Sequence, residues 1–428
     1  MNRPVAPIHG WDSHFRPIII DGEVHRALLV GGGMPGGGAA YAVPQTTIGL
    51  ALEPTRGTPV PPAYWFKVKA PKYKPDLTMI EDDTLQGSMV KVYETIPGLR
   101  YDAHGWDSFL YMDVLPALAK GELGSTDTLT VAPASTTLSA LTVAGAATFT
   151  TAATLAVGSF IVIDAGAILE ANIVKTVSGA GPFTITPFFP LNYAHANGAA
   201  VTGFTGHNYS LLNNVGASGN QPPSLTITDF DGEEWRQLAA AQLDKLTFKG
   251  NATGLADYNC TWFGNPSTTP SPPTSAFTTL DAAPGWTAMI AIGGVPKTYV
   301  VDWQVDLSRN VKPIPALTGT QAYFAYFADA ITCPGKITVI EQAGSPELAA
   351  FEAGTTTALD VFVYDRQTGQ ALYIHSSKAR FKTGEVDRSK TWVEVPLAID
   401  LLPTVTDALA GGVSPLKISV ANAVTTAI

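Results

Sequence analysis

Charge is scarce in this chain. Only 14% of its 428 residues are Asp, Glu, Lys or Arg. Much of the surface must therefore be built from Thr, Ser, Asn, Gln, Gly and small apolar groups. The formal net charge is −10, and no basic stripe offers to displace counterions from a polyanion. Ordinary DNA binding is excluded, whereas DNA passing by without sticking is not. Cysteine is nearly absent: Cys260 and Cys333 share no metal or redox spacing and are expected as buried small hydrophobes. No stretch of 18 or more apolar residues occurs, so no transmembrane helix and no membrane partner are expected. The opening MNRPVAPIHGWDSHFRPIII lacks a charged region followed by an apolar one, and no secretory signal is expected.

Chemistry is equally thin. The seven histidines (His9, His14, His25, His104, His195, His207 and His375) form no H-E-x-x-H and no ligand spacing with a Cys or acid. No metal or cofactor is expected. Neither G-x-S-x-G nor S-x-x-K occurs, so no hydrolase nucleophile is signalled. Three near-motifs fail on their own terms. Gly31, Gly33 and Gly36 spell G-x-G-x-x-G, but Gly37, Gly38 and Pro44 preclude the helix whose N-terminus would hold a phosphate. Asp229 to Glu234, DFDGEE, begins like a calcium loop but has Gly at the fourth position and no distal bidentate Glu. A solvated acidic turn is the better reading. Asp302 and Asp306 could be pictured as an acid/base pair, yet i and i+4 on one strand face lie about 13 Å apart, beyond glycosidase separations. Catalysis is not indicated.

What the chain does have is Gly and Pro, 40 and 32 residues, which suits many short strands joined by turns. Residues 1–43 read as an arm: Ile18-Ile19-Ile20, the hairpin signal Asp21-Gly22, Ala27 to Val30, then the linker GGGMPGGGAA. From Ile48 the pattern takes period two, with Ala63 to Ala70 strand-like behind the stiff loop of ALEPTRGTPVPP. Lys91 to Tyr93 is a possible strand, with a loop at Pro97-Gly98. YMDVLPALAK, Tyr111 to Lys120, is a short helix of about two turns unless Pro116 sits in a first turn of its own.

Composition then shifts. From Thr126 to Ala156, 19 of 31 residues are Thr or Ala, and Thr126 to Thr205 holds only Asp127, Asp164, Glu170 and Lys175 as charges. Strands are expected at Leu138 to Val143, Ser159 to Asp164, Ala171 to Val177 and Pro182 to Pro187. This reads as a small inserted β domain with its two ends close together, because strand patterning resumes after it. Strands come next at Leu225 to Thr228, Lys245 to Lys249, Asn259 to Trp262, Met289 to Ile292 and Thr298 to Arg309. PSTTPSPPTSAF, Pro266 to Phe277, is a second stiff loop. Thr298 to Arg309 alternates most clearly: Tyr299, Val301, Trp303, Val305 and Leu307 on one face, Val300, Asp302, Gln304, Asp306 and Ser308 on a polar, acidic other. Further strands are expected at Lys336 to Ile340, Leu359 to Tyr364, Ala371 to His375 and Thr391 to Ile399, with a turn at Asp365 to Gly369. SPELAAFEA has the marks of a helix: Ser345 as cap, Pro346 at its first position, Glu347 in its first turn and Gly354 beyond its end. The tail after Pro403, low in charge, is expected to be mobile.

Several stretches share their order with a known family. LALEPTRGTPVPPAYWFKV, KPDLTMIEDDTLQGSM and YDAHGWDSFLYMDVLPALAKGELGS resemble the opening half of the major tail tube protein of long-tailed, non-contractile bacteriophages, of siphovirus type. Glu53, Thr55, Gly57, Thr58 and Pro61 fit its E-x-T-x-G-T-x-x-P. QPPSLTITDFDGEEWRQLAAAQLDKLTFKGNATG, WFGNPSTT, APGWTAMI and VVDWQVDLSRNVKPI fit later pieces. The resemblance covers Ile48 to Ser125 and Phe204 to Ile399. It implies a mainly β fold, a tail-tube-type β-sandwich or barrel with a flanking short α-helix. It also implies hexameric rings stacked into a tube, DNA passing through the lumen, and tail-tip initiator, tape measure and tail terminator proteins as partners.

On this reading the organisation is 1–43 arm and linker, 44–125 first part of the core, 126–205 inserted small all-β domain on the tube exterior, 206–402 second part of the core, and 403–428 C-terminal extension. The stiff loops bearing Glu53, Thr55, Gly57, Thr58, Pro61 and Pro266, Pro270, Pro272 are expected as contacts between subunits or rings. Otherwise they are plain surface loops. Asp302, Asp306 and Glu341 are expected to face the lumen and give a negative bore. The competing reading is a virion adhesin or carbohydrate-binding β protein, with an exposed aromatic platform among Trp262, Trp286 and Trp303, each as easily a core residue.

Overall fold

The computed structural model describes residues 15–20, 23–28, 45–84, 86–213, 220–344 and 346–428. β1 (Phe15–Ile20) and β2 (Glu23–Leu28) form an antiparallel hairpin, as the Asp21-Gly22 signal between them predicts. The glycine-rich linker, with its G-x-G-x-x-G, lies outside the described residues, as does Ser345.

β3 (Thr47–Leu52) and β4 (Tyr64–Phe66) pair across the first stiff loop. The chain then breaks at Lys67-Val68, so Ala63 to Ala70 is not one strand. The next two strands depart from expectation. β5 (Lys69–Asp82) and β6 (Glu94–Phe109) form one long antiparallel hairpin. Lys91 to Tyr93 is not a strand, and Pro97-Gly98 lies inside β6 rather than in a loop. Proline breaks a ladder only where its missing N–H was needed. Pro71 and Pro75 stand on β5, which pairs only with β6 among the described strands. Pro97 stands in the part of β6 that pairs only with β5.

α1 (Leu115–Leu123) takes Pro116 into its first turn and ends at Gly124. Every residue of it except Lys120 is buried, because it plugs the core between strands instead of flanking it. The Thr/Ala-rich segment holds β7 (Thr128–Thr130), β8 (Thr136–Thr137), β9 (Phe149–Thr151), β10 (Phe160–Ile163), β11 (Glu170–Ser178), β12 (Phe183–Pro187) and the start of β13 (Ala200–Ser210). Leu138 to Val143 is not a strand. Leu138 is buried and makes a single bridge to Thr151, while Leu141 and Val143 are exposed.

The rest is antiparallel: β14 (Leu225–Phe230), β15 (Trp235–Asn251), β16 (Asp257–Gly264), β17 (Met289–Ile292), β18 (Val295–Lys297), β19 (Val300–Ser308), β20 (Lys312–Ile314), β21 (Ala325–Phe327), β22 (Pro334–Ile340), α2 (Pro346–Glu352), β23 (Thr356–Tyr364), β24 (Ala371–Gly384), β25 (Glu394–Leu401) and β26 (Lys417–Asn422). In hydrogen-bonded order the main sheet runs β5-β6-β16-β15-β19-β22-β25-β24. Long strands change partners along their length. The first half of β15 carries β14, and through it β3 and β4. The first half of β24 pairs with β26, which also pairs with β13. The sheet thereby folds over a shared core, giving the mainly β architecture expected.

That core gathers Trp106, Leu243, Phe248, Trp262, Val305, Ile337, Val361 and Leu397 around Leu115 and Leu118 of α1. Trp262 is fully buried and stacks on Trp106 at 5.7 Å; losing such a ring typically costs about 3–5 kcal/mol. Cys260 and Cys333 are free and buried, as expected, and burial raises both thiol pKa values. The tail after Pro403 is not a mobile extension. β26 lies between β24 and β13, with Ile418 and Val420 fully buried. Its low charge reflects a place in the core.

The 126–205 segment has its own cluster of Leu138, Phe149, Ile161, Val174, Ile185 and Leu191. A second cluster joins it to the core sheet: Phe160, Val162, Ile173 and Phe189 pack against Ala291, Phe362, Tyr364 and Tyr373. Its entry and exit lie side by side, with β7 paired to β13 and Gly124 bridged to Leu211.

Candidate functional site

The two proline-rich loops meet. Gln237 of β15 exchanges backbone hydrogen bonds with Thr268, 2.8 and 3.0 Å, and its side-chain Nε2 donates to the Val60 carbonyl at 3.3 Å. Further along, Phe277 lies edge-on to Trp65, ring centroids 6.1 Å apart. The first loop is pinned from below by Glu53. This carboxylate is buried and accepts four hydrogen bonds: Gly57 N at 2.7 Å, Ser224 Oγ at 2.6 Å, Thr226 Oγ1 at 2.9 Å and Ala240 N at 2.8 Å. Glu53 is thus an anchor inside the subunit and presents no surface to a neighbour. Gly57 takes φ +78°, a left-handed conformation that a side chain would strain. At Gly49 a Cβ would stand 2.6 Å from the Pro62 ring, so glycine lets the loop lie flat on β3. Thr55, Thr58, Pro61 and Pro272 are exposed, and Pro266 and Pro270 half-buried.

Beside these loops stands the β5–β6 hairpin. Only Asp102 to Phe109 of β6 pairs with β16; next to it the Arg100 N–H bonds the Gln321 carbonyl at 2.8 Å, and beyond that the tip, from Met79 to Asp82 and from Glu94 to Pro97, is two-stranded among the described residues. Ile80 pairs with Ile96, and they are 55% and 50% exposed; Met79, Met89 and Val90 are exposed as well. At its base Arg100 and Tyr73 bind the buried Asp102, which also accepts the Ser267 N–H at 2.8 Å. The second loop and the hairpin therefore share one carboxylate. Sequence reasoning missed this arm because its prolines read as breakers; the exposed apolar run LTMI was the available signal.

The outer face of β19 is polar, as the alternation predicts, but its setting corrects the acidic reading. Asp302 lies 3.8 Å from Lys336 of β22 and accepts the Thr338 hydroxyl at 2.9 Å. Asp306 lies 3.9 Å from Lys245 of β15 and accepts Gln304 Nε2 at 2.9 Å. Asp257 of β16, between Lys69 and Lys249 at 3.6 and 3.8 Å, continues the pattern. Ion pairs this exposed contribute little stability, yet they balance the face. Glu341 comes directly after the last residue of β22, and its backbone N–H bonds the Val393 carbonyl at 3.0 Å.

Four histidines face carboxylates: His104 and Asp229 at 3.2 Å, His195 and Glu170 at 3.3 Å, His207 and Asp127 at 2.6 Å, His375 and Asp360 at 2.6 Å. Asp229, first residue of the calcium-like stretch, is thereby buried against His104. Asp231 caps the turn through Glu233 N and Glu234 N. His375 Nε2 lies 3.1 Å from Ser377 Oγ, which completes the contact order of a Ser-His-Asp relay. The Ser377 hydroxyl, however, donates to Asp407 at 2.6 Å, and Asp407 also takes the Ser377 N–H at 2.8 Å. Its proton is held by a carboxylate instead of the imidazole, and the cluster ties residue 407 onto β24. No group of three or more His, Cys, Asp or Glu among the described residues is arranged to hold a metal. No helix among them is long and apolar enough to cross a membrane.

Among the described residues, an open sheet edge on β5, an exposed apolar hairpin tip and a broad polar sheet face are surfaces suited to contact with other chains. The profile of the phage tail tube protein family matches residues 162–385, more than half of the chain, and the chain belongs to that family. It is a structural component of the virion tail. The match begins inside the 126–205 segment, where β10 carries apolar residues to both clusters. No curated protein matches the chain.

Proposed function

We propose that the chain assembles as stacked hexameric rings of a non-contractile tail tube and conducts DNA through the lumen. The β5–β6 arm carries this reading. It reaches about 45 Å at 3.3 Å per residue. Beyond the bridge between Arg100 and Ala322 its tip has no third strand among the described residues, and isolated two-stranded hairpins are marginal in water. Laid on a neighbouring subunit it would gain a partner for the β5 edge and cover Met79, Ile80 and Ile96. The two stiff loops, held together through Gln237, are the second contact: Thr55, Thr58, Pro61 and Pro272 are exposed and already ordered, so docking them loses little entropy.

The polar face bearing Asp302 and Asp306 is the surface proposed for the bore, with Glu341 near its edge. Aspartates alternating with lysines give a bore without sustained attraction for phosphate, screened beyond about 8 Å at physiological salt. The 126–205 segment then lies on the exterior, and tail-tip, tape measure and terminator proteins are the partners at the ends and inside. The reading is tested by light scattering of the purified chain across concentration, with and without the tail-tip complex, beside an Ile80→Glu/Ile96→Glu variant. Concentration-dependent growth that the variant abolishes supports it. A monomer or trimer that never grows, even with the tail tip present, favours an adhesin.

A further inference from the structure

We propose that the cleft between the 126–205 segment and β15, β17 and β19 binds a neutral saccharide. The cleft encloses about 760 Å³, within the range of small-molecule sites. Its wall carries Trp286, 53% exposed despite its size, with Tyr193 and Met289. The Arg366 guanidinium lies 5.5 Å from the Trp286 ring and 5.3 Å from the Tyr193 ring. It is itself fixed by the carbonyls of Gly166, Ala167 and Leu169, so both rings are held before any ligand arrives. Asn192, Asn251 and Thr298 add neutral hydrogen-bonding groups to the lining.

The charges around the cleft set the ligand class. Among the described residues no Asp or Glu lines it, its one lining cation, Lys297, is engaged by Glu347 at 2.9 Å, and Arg366 beside the two rings is held by three carbonyls. Trp303 also lines the cleft, but its indole nitrogen is buried against Gly250 of β15 and closed to a ligand. Neither sign of ligand charge is called for. Aromatic faces for C–H groups, amides for hydroxyls and no net charge are the complement of a neutral sugar. Of the three tryptophans considered as a platform, Trp286 alone exposes its ring here, while Trp303 and Trp262 belong to the core. The site does not depend on tube formation.

The test titrates the full chain with maltose, cellobiose and N,N′-diacetylchitobiose, read by saturation-transfer NMR and tryptophan fluorescence. Trp286→Ala and Asn192→Ala are run beside it after circular dichroism confirms their folding. Saturable binding of at least one sugar is expected, weakened about tenfold or more by Trp286→Ala and severalfold by Asn192→Ala, which removes an exposed amide of the lining and keeps the aromatic wall. Absence of saturable binding by all three, or binding indifferent to Trp286→Ala, overturns the proposal. So does loss of subunit association in Trp286→Ala without any sugar response, which would make the cleft a contact between copies.

Discussion

Glu122 offers a test of the core that can be worked through. It sits on α1 with its side chain fully buried, and neither carboxyl oxygen has a hydrogen-bond partner among the described residues. Burial pushes its pKa from 4.5 up to about 8; Arg309 opposes this and Asp244 adds to it. The folded chain therefore keeps a proton that the unfolded chain releases above about 4.5. Stability is full below that pH, falls as pH rises toward 8, and is level beyond. At pH 7 the gap from 4.5 spans two and a half pH units at about 1.4 kcal/mol each, so linkage costs about 3 kcal/mol. Glu122→Gln keeps the shape and cannot ionise. It should melt with the wild type at pH 4.5 and about 3–6 °C higher at pH 7. The assay is thermal melting of the unassembled chain at matched scan rates from pH 4.5 to 8. A pH-independent offset, or a variant that loses ground at pH 8, would mean that Glu122 is ionised in the fold and refute the reasoning.

Other surfaces give sharper yes-or-no outcomes. Glu53→Ala orphans the buried Ala240 amide and the half-buried Gly57 amide and should cost about 3 kcal/mol; trypsin should then cut after Arg56, whereas equal resistance would deny the anchor. Deleting Thr58 to Pro61 should shorten tubes or lower their yield by electron microscopy, and normal tubes would leave the loop a plain surface feature. Val420→Asp buries a charge in β26 and should abolish soluble expression; a well-folded product would restore the mobile tail.

Much of the fold was legible. Tyr299 to Leu307 alternates because one face of β19 is core, and the turn residues around DRQTG close β23 onto β24 as expected: Asp365 Oδ1 accepts Gln367 N at 2.9 Å. The helix marks of Pro346 and Gly354 bracket α2. What the residues hid has physical reasons. Prolines look like breakers until the free edge of β5 is known. The 126–205 segment reads as a separate small β domain, and its packing on the core was hidden because Phe160, Val162, Ile173 and Phe189 meet Phe362 and Tyr373 from far along the sequence. A tail of low charge looks solvated until β24 and β13 are seen on either side. Asp302 and Asp306 read as an acidic stripe because the lysines that balance them stand on other strands, as far away in sequence as Lys245 is from Asp306. Glu53 could be found from its motif, but only the fold shows that it points inward.

Electron cryo-microscopy of assemblies formed by the full chain tests the central claim most directly. The account predicts stacked six-fold rings. The β5–β6 arm should lie against a neighbouring subunit, the face of Asp302 and Asp306 should line the bore, and residues 126–205 should stand outside. Isolated trimers, or a tube with the arm in solvent and the 126–205 segment in the lumen, would contradict it.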